Sequence, residues 1–139
     1  RALAQRLGCG EGEAPLRWDD TGKPAVDADG VYVSVSHSGP YAVCAVADVP
    51  VGVDVEVVRS ADEKFMRRVC SEAEMAYIRV GDDGDCARFW EIWTAKESLF
   101  KLTGKGPLLT LSQLALPEGV VLDHIREKGC ALTTALRLR

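Results

Sequence analysis

The sequence has no excess of positive charge: 17 Lys and Arg stand against 21 Asp and Glu over 139 residues, a formal net charge of -4. A surface of that sign offers no field to grip a nucleic-acid backbone, which excludes nucleic acid as a partner. There is no stretch of about 18 apolar residues to span a bilayer and no charged-then-apolar leader for export. Five cysteines (Cys9, Cys44, Cys70, Cys86 and Cys130) are scattered without a Cys-x-x-Cys pair, so no zinc or dithiol centre is indicated. They read as buried thiols in a reducing compartment, and a soluble, cytoplasmic protein is expected. A G-x-S-x-G nucleophile elbow, low-complexity sequence and a linker long enough to part domains are also missing. With 47% hydrophobic content, a single domain over 1–139, or two small halves sharing a core, is the expectation. The chain opens at Arg1 inside what reads as a helix, R-A-L-A-Q-R-L, running into Gly8. This suggests a shortened or excised segment.

The periodicity then changes along the chain. P-L-R-W (15–18) reads as a short edge strand and D-D-T-G-K-P (19–24) as a turn cluster. V-Y-V-S-V-S (31–36) alternates, H-S-G-P (37–40) turns, Y-A-V-C-A-V-A (41–47) is a continuous apolar run, and V-G-V-D-V-E-V-V (51–58) alternates again. Short links predict an antiparallel meander with the apolar middle run as its doubly covered strand. A short helix is expected over 61–69. S-E-A-E (71–74) is a capping box opening a helix to about Val80, and G-D-D-G-D (81–85) is a loop. The longest helix is predicted over 86–103, with a glycine stop and then a proline in G-K-G-P (104–107). Three strands are expected near 108–116, 120–126 and 130–138.

Chemistry concentrates in a few places. On a strand, Asp54 and Glu56 project from one face about 6–7 Å apart, beside Gly52. Two such carboxylates repel unless a cation lies between them, although a solvent-facing acidic strand is the simpler reading. Gly52 weakens a strand, which suggests that something approaches the backbone there. A hard cation such as Mg²⁺ takes oxygen ligands, so a third acid is of interest. In W-T-A-K-E-S-L-F-K, Thr94, Glu97 and Lys101 share a helix face with Lys96 flanking; alone, Glu97 and Lys101 read as a surface ion pair. Ser34 and Ser36 share a strand face, and the following turn of His37, Ser38 and Gly39 could cradle a phosphate or be an ordinary polar hairpin. His124 lies in a strand candidate and reads as structural. Lys23 sits in a turn.

In this order G-K-P (22–24), S-x-S-H-S-G (34–39), G-V-D-V-E (52–56) and W-T-A-K-E-S-L-F-K (93–101) resemble the 4'-phosphopantetheinyl transferases of the surfactin-synthetase-activating type. The resemblance also takes in K-F-M-R-R-V-C-S-E-A-E-M (64–75) and weakens after about residue 110. It implies an α+β fold of two pseudo-symmetric lobes of helix packed on antiparallel β-sheet. Residues 1–58 would be the remainder of the N-terminal lobe and 59–139 the C-terminal lobe. It implies a holo-[acyl-carrier-protein] synthase activity: Mg²⁺-dependent transfer of 4'-phosphopantetheine from coenzyme A to a serine of an apo acyl or peptidyl carrier protein. The pathways served would be fatty-acid, polyketide or nonribosomal peptide biosynthesis. By matching position, Asp54, Glu56 and Glu97 are the implied metal ligands and Glu97 the implied base. Lys96 and Lys101 would neutralise phosphates, and Lys23, Ser36 and His37 would hold the adenine end and 3'-phosphate of coenzyme A.

Family members of this type carry roughly another half-lobe before the region matching Arg1, so an upstream segment or another chain is expected to complete the first lobe. A non-catalytic remnant binding coenzyme A or a carrier stays open as the alternative. The smaller trimeric holo-acyl-carrier-protein synthases are a sister group, but they place G-x-D near their N-terminus, unlike this chain. Lys64, Arg67 and Arg68 form either a basic face for an acidic carrier or a solvated surface.

Overall fold

The computed structural model describes residues 1–20, 22–81, 86–104, 116–127 and 129–138. The elements in chain order are α1 (Ala2–Leu7), β1 (Leu16–Trp18), β2 (Pro24–Val26), β3 (Tyr32–Ser38), β4 (Tyr41–Ala47), β5 (Val51–Val57), α2 (Glu63–Val69), α3 (Glu72–Val80), α4 (Ala87–Thr103), β6 (Val120–Glu127) and β7 (Cys130–Arg137). The class is α+β with antiparallel ladders, as the resemblance implies. The strand expected near 108–116 lies outside the described residues, save for Leu116. Among the described residues no helix is long and apolar enough to cross a membrane.

Local chemistry sets most helix ends. Gly8, in the left-handed conformation, ends α1. Asp62 caps α2 by accepting from Lys64 N and Phe65 N. The expected capping box opens α3, with Glu74 N donating to Ser71 Oγ and Ser71 N donating to the Glu74 carboxylate. Gly104, at φ 66°, closes α4 and donates its N–H to Phe100 O at 2.8 Å. A conformation of that sign suits a residue without Cβ.

The meander is where the sheet departs from expectation. β3 and β4 form a two-stranded hairpin, but β5 leaves them and pairs antiparallel with β7 in a three-stranded sheet of order β5-β7-β6. The apolar run β4 is accordingly not doubly covered: each of its positions is half-buried or exposed, while Val51 to Val55 of β5 are all buried. β3 meets β5 through side chains. Val53 N donates to Ser34 Oγ at 3.0 Å and Val57 N to Ser38 Oγ at 3.2 Å. Hydroxyls thus satisfy backbone donors that a neighbouring strand would otherwise take. β3 also runs through His37 and Ser38, which shortens the turn to Gly39-Pro40 with positive φ at Gly39, as in tight hairpin loops of the primed type. Pro24–Val26 is a strand paired with β1, not the end of a turn.

Helix α4 lies across one face of the β5-β7 pair. Facing it in register are Gly52 with Ala135, Asp54 with Thr133, and Glu56 with Ala131. The small residues let the helix come close. A Cβ built on Gly52 would run into Ser98 O and stand 2.7 Å from Leu102 N, so what approaches the glycine backbone is this helix. At the N-terminal end of α4, Phe89 and Trp90 pack with Met66 and Val69 of α2, Cys70 that follows it, Met75 and Ile78 of α3, and Ala131 of β7. A smaller cluster joins Leu99 to Val120 and Ala135.

Because the atoms facing Gly52 are backbone, they have little freedom to yield. Gly52→Ala is expected to destabilise the chain by about 2–3 kcal/mol. Chemical denaturation measures it, and a variant as stable as the parent contradicts the close approach.

Candidate functional site

Strand β5 and helix α4 bring the expected acids to one region. Asp54 is buried beneath α4, and its two oxygens have different surroundings. Oδ1 accepts from Ser36 Oγ at 2.8 Å and from Lys101 Nζ at 2.7 Å, whereas Oδ2 is buried without a partner. Burial pushes the Asp54 carboxyl up, and the opposing pull of the Lys101 charge and hydrogen bond does not cancel it. Two residues on, Glu56 Oε2 accepts from Ser38 Oγ at 2.6 Å and from Arg59 Nη1 at 3.3 Å.

Glu97 approaches from α4. Its Oε1 is buried without a partner. Its carboxyl is pushed up to about 7, first by burial, then by the Asp54 charge, with Lys101 pulling down and Glu56 adding to the rise. That mutual influence marks the three acids as neighbours. Among the described residues, no three His, Cys, Asp or Glu side chains are gathered tightly enough to hold an ion as they stand. The donor chemistry nevertheless fits a hard cation, since Asp54 Oδ2 and Glu97 Oε1 are bare buried carboxylate oxygens.

The lysines divide. Lys101 Nζ donates to Asp54 Oδ1, to Val53 O at 3.0 Å and to Val35 O at 3.3 Å, linking β3 and β5. Its partner is Asp54, not Glu97 as an isolated reading of the helix face suggests. Lys96 is not brought to the acids. It is buried on the other side of α4, donating to Val69 O at 2.6 Å and to Glu74 Oε2 at 2.7 Å. The physical reason is helical spacing: neighbours in sequence point about 100° apart, so the face that presents Glu97 turns Lys96 toward α2 and α3. Thr94, on the presenting face, is fully buried and bonded to Thr133 Oγ1 at 2.8 Å.

A cavity of about 780 Å³ opens beside Asp54 and Glu56, which line it with Ser36, His37, Lys101 and the exposed Trp18, among others, whereas Glu97 does not line it. Lys23 does not line this cavity but borders a neighbouring one with Ser34 and Lys101, and its Nζ donates to Lys101 O at 2.7 Å near the C-terminus of α4. His124, read as structural, bonds through Nδ1 to Thr133 Oγ1 at 2.9 Å. Sequence reasoning missed Trp18 and Arg59. The Arg59 guanidinium touches Glu56 and lies 4.2 Å from the Trp90 ring. Its spacing of three residues from Glu56 is a signal that was there to read, whereas nothing local marks Trp18. On α2, Lys64, Arg67 and Arg68 are exposed, with Arg67 bound to Glu63 at 2.7 Å.

Residues 50–124 match the profile of the 4'-phosphopantetheinyl transferase superfamily. The 4'-phosphopantetheinyl transferase gsp of Aneurinibacillus migulanus is 34% identical over 98 residues, covering 70% of this chain and 41% of that protein. The 4'-phosphopantetheinyl transferase Sfp of Bacillus subtilis is 31% identical over 97 residues, 68% of this chain and 43% of that one. The 4'-phosphopantetheinyl transferase AcpT of Salmonella typhimurium is 34% identical over 92 residues, 63% and 48%. The chain spans less than half the length of each of these relatives.

The raised Glu97 carboxyl has a consequence for stability in metal-free buffer. Between its ordinary value of 4.5 and about 7 the folded state holds a proton that the unfolded chain has released. Folded-state stability therefore falls as pH rises across that window, and Asp54 acts in the same direction. Thermal melts with chelator at about pH 5 and pH 7.5 are expected to show the drop, and Glu97→Gln, neutral throughout, to reduce it. An identical pH response in the variant removes the assignment.

Proposed function

The chain belongs to the 4'-phosphopantetheinyl transferase superfamily, and from that premise we propose that it carries the metal-binding site of a transferase acting on coenzyme A. The reaction moves 4'-phosphopantetheine to a serine of an apo acyl or peptidyl carrier protein in the cytoplasm. The serine oxygen bonds to the phosphorus bearing pantetheine, that phosphorus loses its bond to the bridging oxygen, and 3',5'-ADP departs with it. Carriers of fatty-acid, polyketide or nonribosomal peptide assembly are the substrate class. The observation that supports this reading most directly is the bare, buried carboxylate oxygen on each of Asp54 and Glu97, with Asp54 also paired to a lysine and lining an open cavity.

Asp54, Glu97 and Glu56 are the residues that would hold Mg²⁺, which when bound supplies positive charge to a diphosphate. The chain's own groups do the rest. Glu97, the implied base by position, takes the proton of the attacking hydroxyl. Lys101 supplies charge to the phosphates. Lys23, Ser36 and His37 receive the adenine end and 3'-phosphate. Lys96 holds α4 against α2 and α3 and has no part in phosphate binding. Lys64, Arg67 and Arg68 offer a carrier the basic face of α2.

The two-lobe division, 1–58 against 59–139, belongs to the same proposal, with β5 as the seam: it is laddered to β7 on one side and met by the serines of β3 on the other. The alternative reading is a non-catalytic coenzyme A- or carrier-binding remnant of the same fold.

Mass spectrometry of an apo carrier incubated with coenzyme A, Mg²⁺ and the chain decides between them. A gain of the phosphopantetheine mass, lost in Asp54→Ala, is expected, whereas coenzyme A binding without any gain favours the remnant. Asp54→Ala retaining full Mg²⁺-dependent transfer refutes the metal assignment. As a contrast, Lys96→Met is expected to lose about 2 kcal/mol of stability while leaving the coenzyme A affinity of the folded protein unchanged.

A further inference from the structure

Lys101 makes more contacts than a phosphate ligand needs. An ammonium has three N–H donors, and Lys101 directs them to three acceptors: Asp54 Oδ1, Val53 O and Val35 O. Asp54 Oδ1 is thereby occupied twice, by Lys101 and Ser36, while Oδ2 of the same carboxylate has no partner. The Asp54 side chain is 5% exposed and Lys101 26%, so the acid is fixed and the lysine borders solvent. One carboxylate thus offers a bare oxygen to a cation while its charge is already balanced by a lysine.

We propose that Lys101 is an exchangeable internal counter-ion: it neutralises Asp54 until a divalent cation arrives, then yields and passes its charge to the phosphates of the donor. This rests on the metal-binding reading of Asp54 given above. A divalent ion at Oδ2 shares its carboxylate with an ammonium, and two cations on one buried acid repel each other. Asp54 cannot move, because it is fixed in the β5-β7 ladder under α4 and bonded to Ser36. Lys101 can, because its flexible stem borders the same cavity of about 780 Å³. In leaving, it gives up two carbonyl bonds and an ion pair, which a phosphate oxygen in the cavity can replace. Cation and phosphate therefore each ease the binding of the other through one side chain, and the coupling is reciprocal.

The test separates this inference from the reading beneath it. Binding of Mn²⁺ alone is followed by loss of its free-ion paramagnetic resonance signal, and coenzyme A binding by calorimetry with and without Mg²⁺. Lys101→Met and Lys101→Gln are expected to bind Mn²⁺ alone about tenfold tighter than the parent, and to show a smaller gain in coenzyme A affinity on adding Mg²⁺. Lys101→Arg, which keeps the charge, is expected to stay weak toward Mn²⁺. The glutamine variant retains amide donors for Val35 O and Val53 O, so it decides the matter if the methionine variant fails to fold. If both neutral variants bind Mn²⁺ no tighter while Asp54→Asn abolishes binding, the counter-ion role is overturned and the metal site stands. If Asp54→Asn binds Mn²⁺ as the parent does, the metal reading falls and the inference with it.

Discussion

Everything distinctive about this site depends on how closely the backbone of α4 can approach β5. The contact is made at Gly52, opposite Ala135, where the absence of a side chain lets Ser98 and Leu102 of the helix rest on the strand. From that contact the rest follows geometrically. A helix seated on Gly52, two residues from Asp54, brings Glu97 and Lys101 close to that acid, and the sheet holds Asp54 beneath them. The glycine beside the acids serves the protein's own packing, and the site is a product of that packing.

The same packing explains why two lysines five residues apart on one helix take opposite roles. Lys96 turns toward α2 and α3, where the Val69 carbonyl and the Glu74 carboxylate hold it out of solvent. Glu74 also closes the capping box of α3, so one carboxylate ties a helix start to the neighbouring helix. Lys101 turns toward β3 and β5 and bridges two strands that share no backbone ladder. The serines of β3 complete this junction, two by satisfying β5 amides and one by orienting Asp54. A polar seam of this kind is held by bonds that a ligand's own oxygens can replace, unlike an apolar core.

Much of this was open to reading from the chain alone. The helix ends at Gly8 and Gly104, the capping box at Ser71 and Glu74, the alternation of β5 and the three acids are set by local chemistry, which acts over a few residues and leaves a mark in the sequence. The order of the motifs likewise carried the family and the α+β class. What escaped had causes distant in sequence. That β5 pairs with β7 and not with β4 depends on partners some eighty residues away, and the apolar run of β4 gave no warning because half-buried and doubly buried strands can share a composition.

The identities of the acids, the glycine that bares β5 and the helical spacing of Glu97 and Lys101 were thus determined by the sequence itself, because side-chain type and period are written there directly. Only the tertiary structure decided that Lys96 faces inward, that Lys101 belongs to Asp54, and that one oxygen each of Asp54 and Glu97 is left without a partner. Those outcomes depend on the rotation and depth at which α4 settles on the sheet, and that is fixed by packing between residues far apart in the chain.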